Sequence, residues 1–138
     1  MNFSLRTFAM TDYEQVVALW HNTGLRVGPT DSRAGITRKL ERDADLFLVA
    51  EVDQRVVGAV MGCYDGRRGW ANHVAVDPDY QGQGIGTALM SELEQRLRLC
   101  GCAKFNLLVA RPNADVQGFY EQLGFESDDV IFMQKWLQ

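Results

Sequence analysis

Two periods organise the apolar positions of this chain. Short runs alternate every second residue, and longer runs between them repeat every three or four. Leu5–Ala9 alternates and reads as a short strand. Thr11-Asp12-Tyr13-Glu14 then has the form of a capping box, in which Thr11 and Glu14 satisfy helix-start amides reciprocally. The helix that follows places Val16, Val17, Leu19 and Trp20 on one side, and Gly24 is set to end it. Leu25–Thr30, with Gly28 and Pro29, reads as a loop before a second helix from Asp31 or Ser32 that carries Ile36 and Leu40. Leu46–Val52 and Arg55–Tyr64 are strand-rich runs separated by Asp53-Gln54, a spacing that predicts an antiparallel hairpin. A turn at Asp65–Gly69 leads to a strand at Trp70–Val76, which Asp77-Pro78 stops. Helical spacing returns from about Gly84 to Cys100 with Ala88, Leu89, Leu93, Leu97 and Cys100 in register, and Gly101 as cap. Lys104–Val109 reads as a strand, Ala114–Leu123 as a helix closed by Gly124, and Val130–Trp136 as a last strand. Three antiparallel strands followed by β-α-β-α-β predict one mixed sheet with helices on its faces.

At 138 residues, one domain spanning 1–138 is expected, with a core that needs no disulfide or metal. A net charge of −4 argues against a nucleic-acid partner, because phosphate binding normally needs a basic patch. The basic residues Arg38, Lys39 and Arg42 are interrupted by Glu41 and Asp43 and read as a solvated helix face. Cys63, Cys100 and Cys102 are odd in number and lack zinc-site spacing, which predicts reduced thiols and no metal. Met1–Arg6 has no apolar signal core and no run approaches the ~20 apolar residues of a membrane span, so a soluble cytoplasmic protein is expected.

The candidate chemistry lies in Gln81-Gly82-Gln83-Gly84-Ile85-Gly86-Thr87, between a strand and the long helix. The first amides of a helix lack carbonyl partners and carry the positive end of the peptide dipoles, so they favour an anion. Glycines let a ligand approach the backbone closely. The run lacks the Gly-Lys-Ser/Thr ending of a nucleoside-triphosphate loop. Its G-x-G-x-G spacing and the absence of a carboxylate in residues 101–106 also disfavour a dinucleotide-binding oxidoreductase. A glycine-rich helix entry with no ligand is the remaining structural reading.

The surrounding residues narrow the choice. Val74-Ala75-Val76-Asp77-Pro78 followed by Gln81-x-x-Gly84-x-Gly86 resembles the acyl-CoA loop of the GNAT superfamily of N-acetyltransferases. Asn113 and Phe119-Tyr120-Glu121-x-Leu123-Gly124-Phe125 match its second half. Leu46–Val52 and Tyr64-Asp65-Gly66 are most similar to small bacterial YpeA-like members. The resemblance implies an α/β (α+β type) fold: a mixed, mainly antiparallel sheet of about six to seven strands with about four helices. It further implies transfer of an acetyl group from acetyl-CoA to the primary amine of a small molecule or peptide, without a metal, and a homodimer by analogy.

Carried over by position, the amides of Gly82, Gln83, Gly84, Ile85, Gly86 and Thr87, beside Gln81, would hold the pyrophosphate of coenzyme A. The strand edge of Val74, Ala75 and Val76, splayed from Lys104–Val109, would bond the pantetheine arm and polarise the thioester carbonyl. Asn113 would contact the pantetheine or simply cap the next helix. Tyr120 would protonate the departing thiolate, or serve as a buried structural tyrosine. Where some relatives carry a glutamate as base, this chain has Leu108, which cannot take a proton. His73 is the nearest candidate base, with Asp65 and Glu51 weaker ones and a structural histidine as the alternative. The acceptor pocket is expected near Leu25–Pro29, where Arg26 either binds a carboxylate or faces water. The Leu108 departure leaves open a second class, a non-catalytic acyl-CoA-binding or regulatory module.

Overall fold

The computed structural model describes residues 2–110 and 116–138. They fall in two compact units, Met1–Leu108 and Val109–Gln138. The first contains β1 (Ser4–Thr7), α1 (Tyr13–Asn22), α2 (Arg33–Asp43), β2 (Phe47–Val52), β3 (Arg55–Tyr64), β4 (Arg68–Val76), α3 (Ile85–Leu99) and β5 (Lys104–Leu107). Its sheet runs in the order β1-β2-β3-β4-β5, antiparallel throughout except for the parallel pair β4–β5. The second unit contains α4 (Gln117–Gln122).

The sheet therefore has five strands among the described residues, fewer than the six to seven expected. The difference includes Val130–Trp136, which forms no ladder, leaving Ile131 88% and Met133 84% exposed. Its β-branched and aromatic residues suit a pleated surface, but that preference makes a strand only where a partner edge completes the hydrogen bonds.

β2 and β3 are apolar on both sides, so they can be covered on both faces. On one face Trp20 and Val16 of α1 and Ile36 of α2 pack against Phe47, Val49 and Met61. Phe8 stacks on Phe47 with ring centroids 4.1 Å apart. On the other face α3 presents Ile85, Leu89, Leu93 and Leu97, all buried, whereas Cys100 is exposed. That helix lies close because three facing positions have no side chain. A Cβ on Gly58 would sit 3.0 Å from Ile85, one on Gly62 2.8 Å from the Leu46 carbonyl oxygen, and one on Gly69 2.8 Å from Leu97.

The Asp53-Gln54 hairpin forms as spaced, with both residues left-handed at φ 50° and 65°. That is the backbone a two-residue turn needs to match strand twist. Ser32 caps α2 by accepting from the Gly35 N–H at 3.1 Å. The entry to α1 differs from the expected capping box. Asp12, not Thr11, accepts from the Ala9 N–H at 2.9 Å, and Glu14 instead pairs with Arg33 at 2.9 Å. Asp12 wins because Arg6 grips its carboxylate from β1 while also reaching Glu51 on β2. Lys39 is likewise not a solvated charge: its ammonium binds Asp43 and the Gly62 carbonyl oxygen, fixing α2 to β3.

Two stability predictions follow from this packing. Gly62→Ala forces a methyl against the Leu46 backbone, and a loss of about 1–3 kcal/mol is expected from urea unfolding. Hydrogen bonds from Arg6, stronger than the opposing effect of burial, hold the Asp12 carboxyl below its ordinary value of 3.8. A carboxylate depressed in the folded state adds stability above its unfolded value, and that stability disappears as pH falls through the folded value. Asp12→Asn is therefore expected to cost about 1–3 kcal/mol at neutral pH and to flatten the stability curve below pH ~4.

Candidate functional site

At the end of β4 the chain makes a short 3₁₀ turn, Pro78–Tyr80. Buried Asp77 shapes it: one carboxylate oxygen accepts from the Asp79 N–H at 2.9 Å, and the other lies 3.4 Å from Arg55. The Gln81 side-chain amide donates back to the Val76 carbonyl at 3.0 Å, bracing the loop against the strand. Gly82 and Gly84 follow at φ 77° and 86°. A Cβ at either would meet nothing within 4 Å, so the backbone conformation demands glycine while the space beside it stays open. Gly84 is the N-cap of α3 and supplies no side chain to its first turn. The leading amides of a 15-residue helix are thus left uncapped beside an open surface, a ready anion site. Ile85 is buried and holds the helix start against the sheet, while Gln81, Gln83 and Thr87 are exposed.

β4 is irregular where it approaches this loop. It pairs with β3 through Ala59↔Ala75 and Met61↔Asn72, so β4 carries one extra residue between those rungs. His73 lies in this bulge at φ 49°, a left-handed conformation that is costly for a side chain with a Cβ. On the other side the ladder to β5 runs only from Arg68↔Lys104 to Ala71↔Leu107. Among the described residues, Asn72, His73, Val74, Ala75 and Val76 have no partner strand on that side. An extended ligand can add there as a strand would.

The bulge points His73 toward the connection between α1 and α2. Its Nε2 lies 3.0 Å from Asp31 Oδ2. Asp31 is 6% exposed and ends the turn Pro29–Asp31; the same carboxylate oxygen accepts from the Gly28 N–H at 3.0 Å. Its main-chain carbonyl accepts from the Tyr13 hydroxyl at 2.7 Å. Burial pushes the Asp31 carboxyl up, but His73 and the Gly28 N–H together bring it below its ordinary value. The imidazole also packs on Trp20, centroids 4.7 Å apart. The Trp20 indole N–H is buried without a hydrogen-bond partner among the described residues. Sequence reading treated Asp31 only as a helix start. Nothing local links it to a histidine 42 positions away.

The other candidates are placed as follows. Glu51 is paired with Arg6 at 3.0 Å, and Asp65 spends one oxygen on the Arg67 and Arg68 N–H groups, at 2.7 Å each. Both therefore have structural tasks. Arg26 is exposed, and Leu108 is 54% exposed. Tyr120 lies on α4 in the second unit, half-buried beside Phe119 (5.1 Å) and Phe125 (6.0 Å). Burial raises its phenol above the ordinary value, so it keeps its proton at neutral pH. Asn113 lies outside the described residues. A cavity of about 360 Å³ opens at the β3–β4 hairpin end, away from the glycine loop, lined by Lys39, Arg42, Asp43, Cys63, Asp65 and Trp70. Its two positive and two negative side chains cancel. Burial raises the Cys63 thiol, whose sulfur accepts from Asn72 at 3.1 Å. Among the described residues no His, Cys, Asp or Glu cluster is placed to hold a metal, and no helix is long and apolar enough to cross a membrane.

An uncapped helix start at the end of a half-paired strand is an arrangement for an extended, anionic cofactor. This chain belongs to the acetyltransferase (GNAT) family, whose sequence pattern matches residues 10–125. It is 45% identical over 133 residues to an acetyltransferase of Yersinia pestis (strain Pestoides F), across 96% of this chain and 94% of that protein. An acetyltransferase of Pectobacterium atrosepticum is 46% identical over 133 residues, with the same 96% and 94% shares. Among solved structures, the PaiA N-acetyltransferase of Thermoplasma acidophilum in complex with coenzyme A is similar in fold. Its TM-score is 0.83 at 20% identity, covering 95% of this chain and 94% of that one.

Proposed function

We propose that residues 1–138 act as one acetyltransferase domain that moves the acetyl group of acetyl-CoA directly to a primary amine of a small molecule or peptide. The observation that carries this reading is the α3 start, with no side-chain cap from Gly84, at the end of a strand whose outer edge has no partner strand among the described residues. The family match, which runs across both units, supports treating them together. Acetyl-CoA, when bound, supplies a thioester whose carbonyl carbon accepts the amine.

The residues present suit that molecule. Amides from Gly82 to Thr87 bind its diphosphate, and the Val74–Val76 edge takes the pantetheine arm, with Asn113 a further contact. One N–H of that edge donates to the thioester oxygen and stabilises the charge that develops there. Tyr120 donates its proton to the departing sulfur, and His73 removes a proton from the incoming amine. His73 thus fills the role that Leu108 cannot, which weighs against a binding-only module.

Thermal shift with acetyl-CoA, then thiol release across a panel of amines, tests the proposal; ligand at 100 times its Kd raises stability by about 2.7 kcal/mol. Gly84→Val sets a β-branched side chain at φ 86° and into the open space. The folded variant is expected to bind coenzyme A at least ~10-fold more weakly by calorimetry, since bending the loop costs on the order of 1–3 kcal/mol. Unchanged affinity would remove the loop from the binding site. Tyr120→Phe is expected to lower kcat by roughly 10²–10⁴ while leaving the acetyl-CoA thermal shift intact.

A further inference from the structure

We infer that Asp31 is a positioning residue that sets the tautomer and direction of His73, so that the pair removes the proton from the acceptor amine as one unit. The inference rests on the acetyltransferase reading above.

Three features of the pair carry it. First, an ionised carboxylate can only accept hydrogen bonds, and Asp31 stays ionised at neutral pH. The 3.0 Å contact to Oδ2 therefore fixes the proton of neutral His73 on Nε2 and leaves the lone pair on Nδ1. Second, Asp31 is itself immobilised: Gly28 donates to its carboxylate and Tyr13 to its carbonyl, while Trp20 packs on the imidazole. Third, His73 occupies a left-handed bulge immediately before the Val74–Val76 edge. A non-glycine residue kept in that conformation next to a proposed reaction site points to use of the side chain.

The charged and titratable groups around the pair are few. Tyr13 of α1 binds the Asp31 carbonyl, and Arg33 of α2 lies over the Tyr13 ring at 4.7 Å while pairing with Glu14. From β3 the residues opposite the bulge are Ala59 and Met61, both apolar, and Cys63 beyond them is bonded by Asn72. Asp31 is thus the charge in direct contact with the imidazole among the described residues.

The proton balance is simple. An N–H bond of the substrate ammonium breaks and Nδ1–H forms, giving an imidazolium held by the Asp31 carboxylate. The free amine lone pair then attacks the thioester. The nitrogen's second proton is released as the amide forms, and it balances the proton that the departing sulfur takes up. The imidazolium returns its proton to solvent.

Nitrogen-15 NMR of the imidazole in the whole protein tests the tautomer without any substrate. Nε2–H is expected in the neutral form, and Nδ1–H overturns the proposal. The pH profile of kcat/KM is then measured with acetyl-CoA and an alanine tripeptide, Nα-acetyl-lysine or spermidine as acceptor. Asp31→Asn, isosteric and still able to accept from Gly28, is expected to lower kcat/KM about 10- to 100-fold. It should also displace the acid limb, with the acetyl-CoA Kd unchanged. His73→Gln is expected to abolish that limb. A wild-type limb that neither variant moves, in proteins that fold and turn over, shows a purely structural pair and overturns the inference alone. Thiol release with none of the three amines overturns the acetyltransferase reading and this inference with it, whatever the NMR shows.

Discussion

The close seat of α3 on the sheet is the constraint on which the rest depends. Gly58, Gly62 and Gly69 remove the side chains that would hold the helix away, and Ile85, Leu89, Leu93 and Leu97 fill the gained space. Interiors tolerate little spare or excess volume, so this contact fixes the helix in height and rotation. Ile85 is both the first residue of α3 and a core residue packed over Gly58. Core packing thereby decides where the leading amides of α3 stand, and the candidate site inherits the rigidity of the hydrophobic core.

β4 converts that fixed corner into a site by changing character along its length. Over Arg68–Ala71 it is an ordinary interior strand, bonded on both sides. At His73 the extra residue breaks the rhythm, and from there to Val76 its partner among the described residues is β3 alone. A bulge increases local twist and re-aims side chains. Here it coincides with the end of the β5 ladder and with a direct link from the sheet to the Asp31 carboxylate. The same residue that frees the strand edge thus also ties that edge to the α1–α2 connection. A change in either is felt by the other.

Much of this was legible in the sequence wherever backbone does the work. Glycine at 82 and 84 marks left-handed turns, Asp77-Pro78 marks the strand exit, and the 85–99 periodicity marks the helix, because each reflects local conformational physics. The parts built from side chains distant in sequence were not legible. Asp31 and His73 meet only after the sheet forms, and Arg6 displaces the Thr11 capping box because Asp12 offers a buried, stronger bond. Lys39 looked solvated because helix-face counting cannot see the Gly62 carbonyl on another element. Strand propensity at Val130–Trp136 misled for the converse reason: it describes side chains and carries no knowledge of a partner edge.

A chain of net charge −4 has more carboxylates than cations, so the field at the start of α3 depends on where those carboxylates stand. The first turn of α3 contains no acidic residue. Glu92 and Glu94 come later in the helix and are neutralised by Arg96 and Arg98 one turn on, at 2.9 and 3.1 Å. Asp77 is adjacent to the loop, but its oxygens are committed to the Asp79 N–H and to Arg55. Surface charges farther away are screened over about 8–10 Å at physiological salt, so they neither repel nor recruit a ligand once it is at the corner. The helix amides contribute roughly half a positive charge, while exposed Asp79 brings one carboxylate within two residues of Gln81. Net charge therefore says little about the field at this corner. The Gln81–Thr87 loop contains no charged side chain of either sign, so any positive field that the loop itself supplies comes from its backbone.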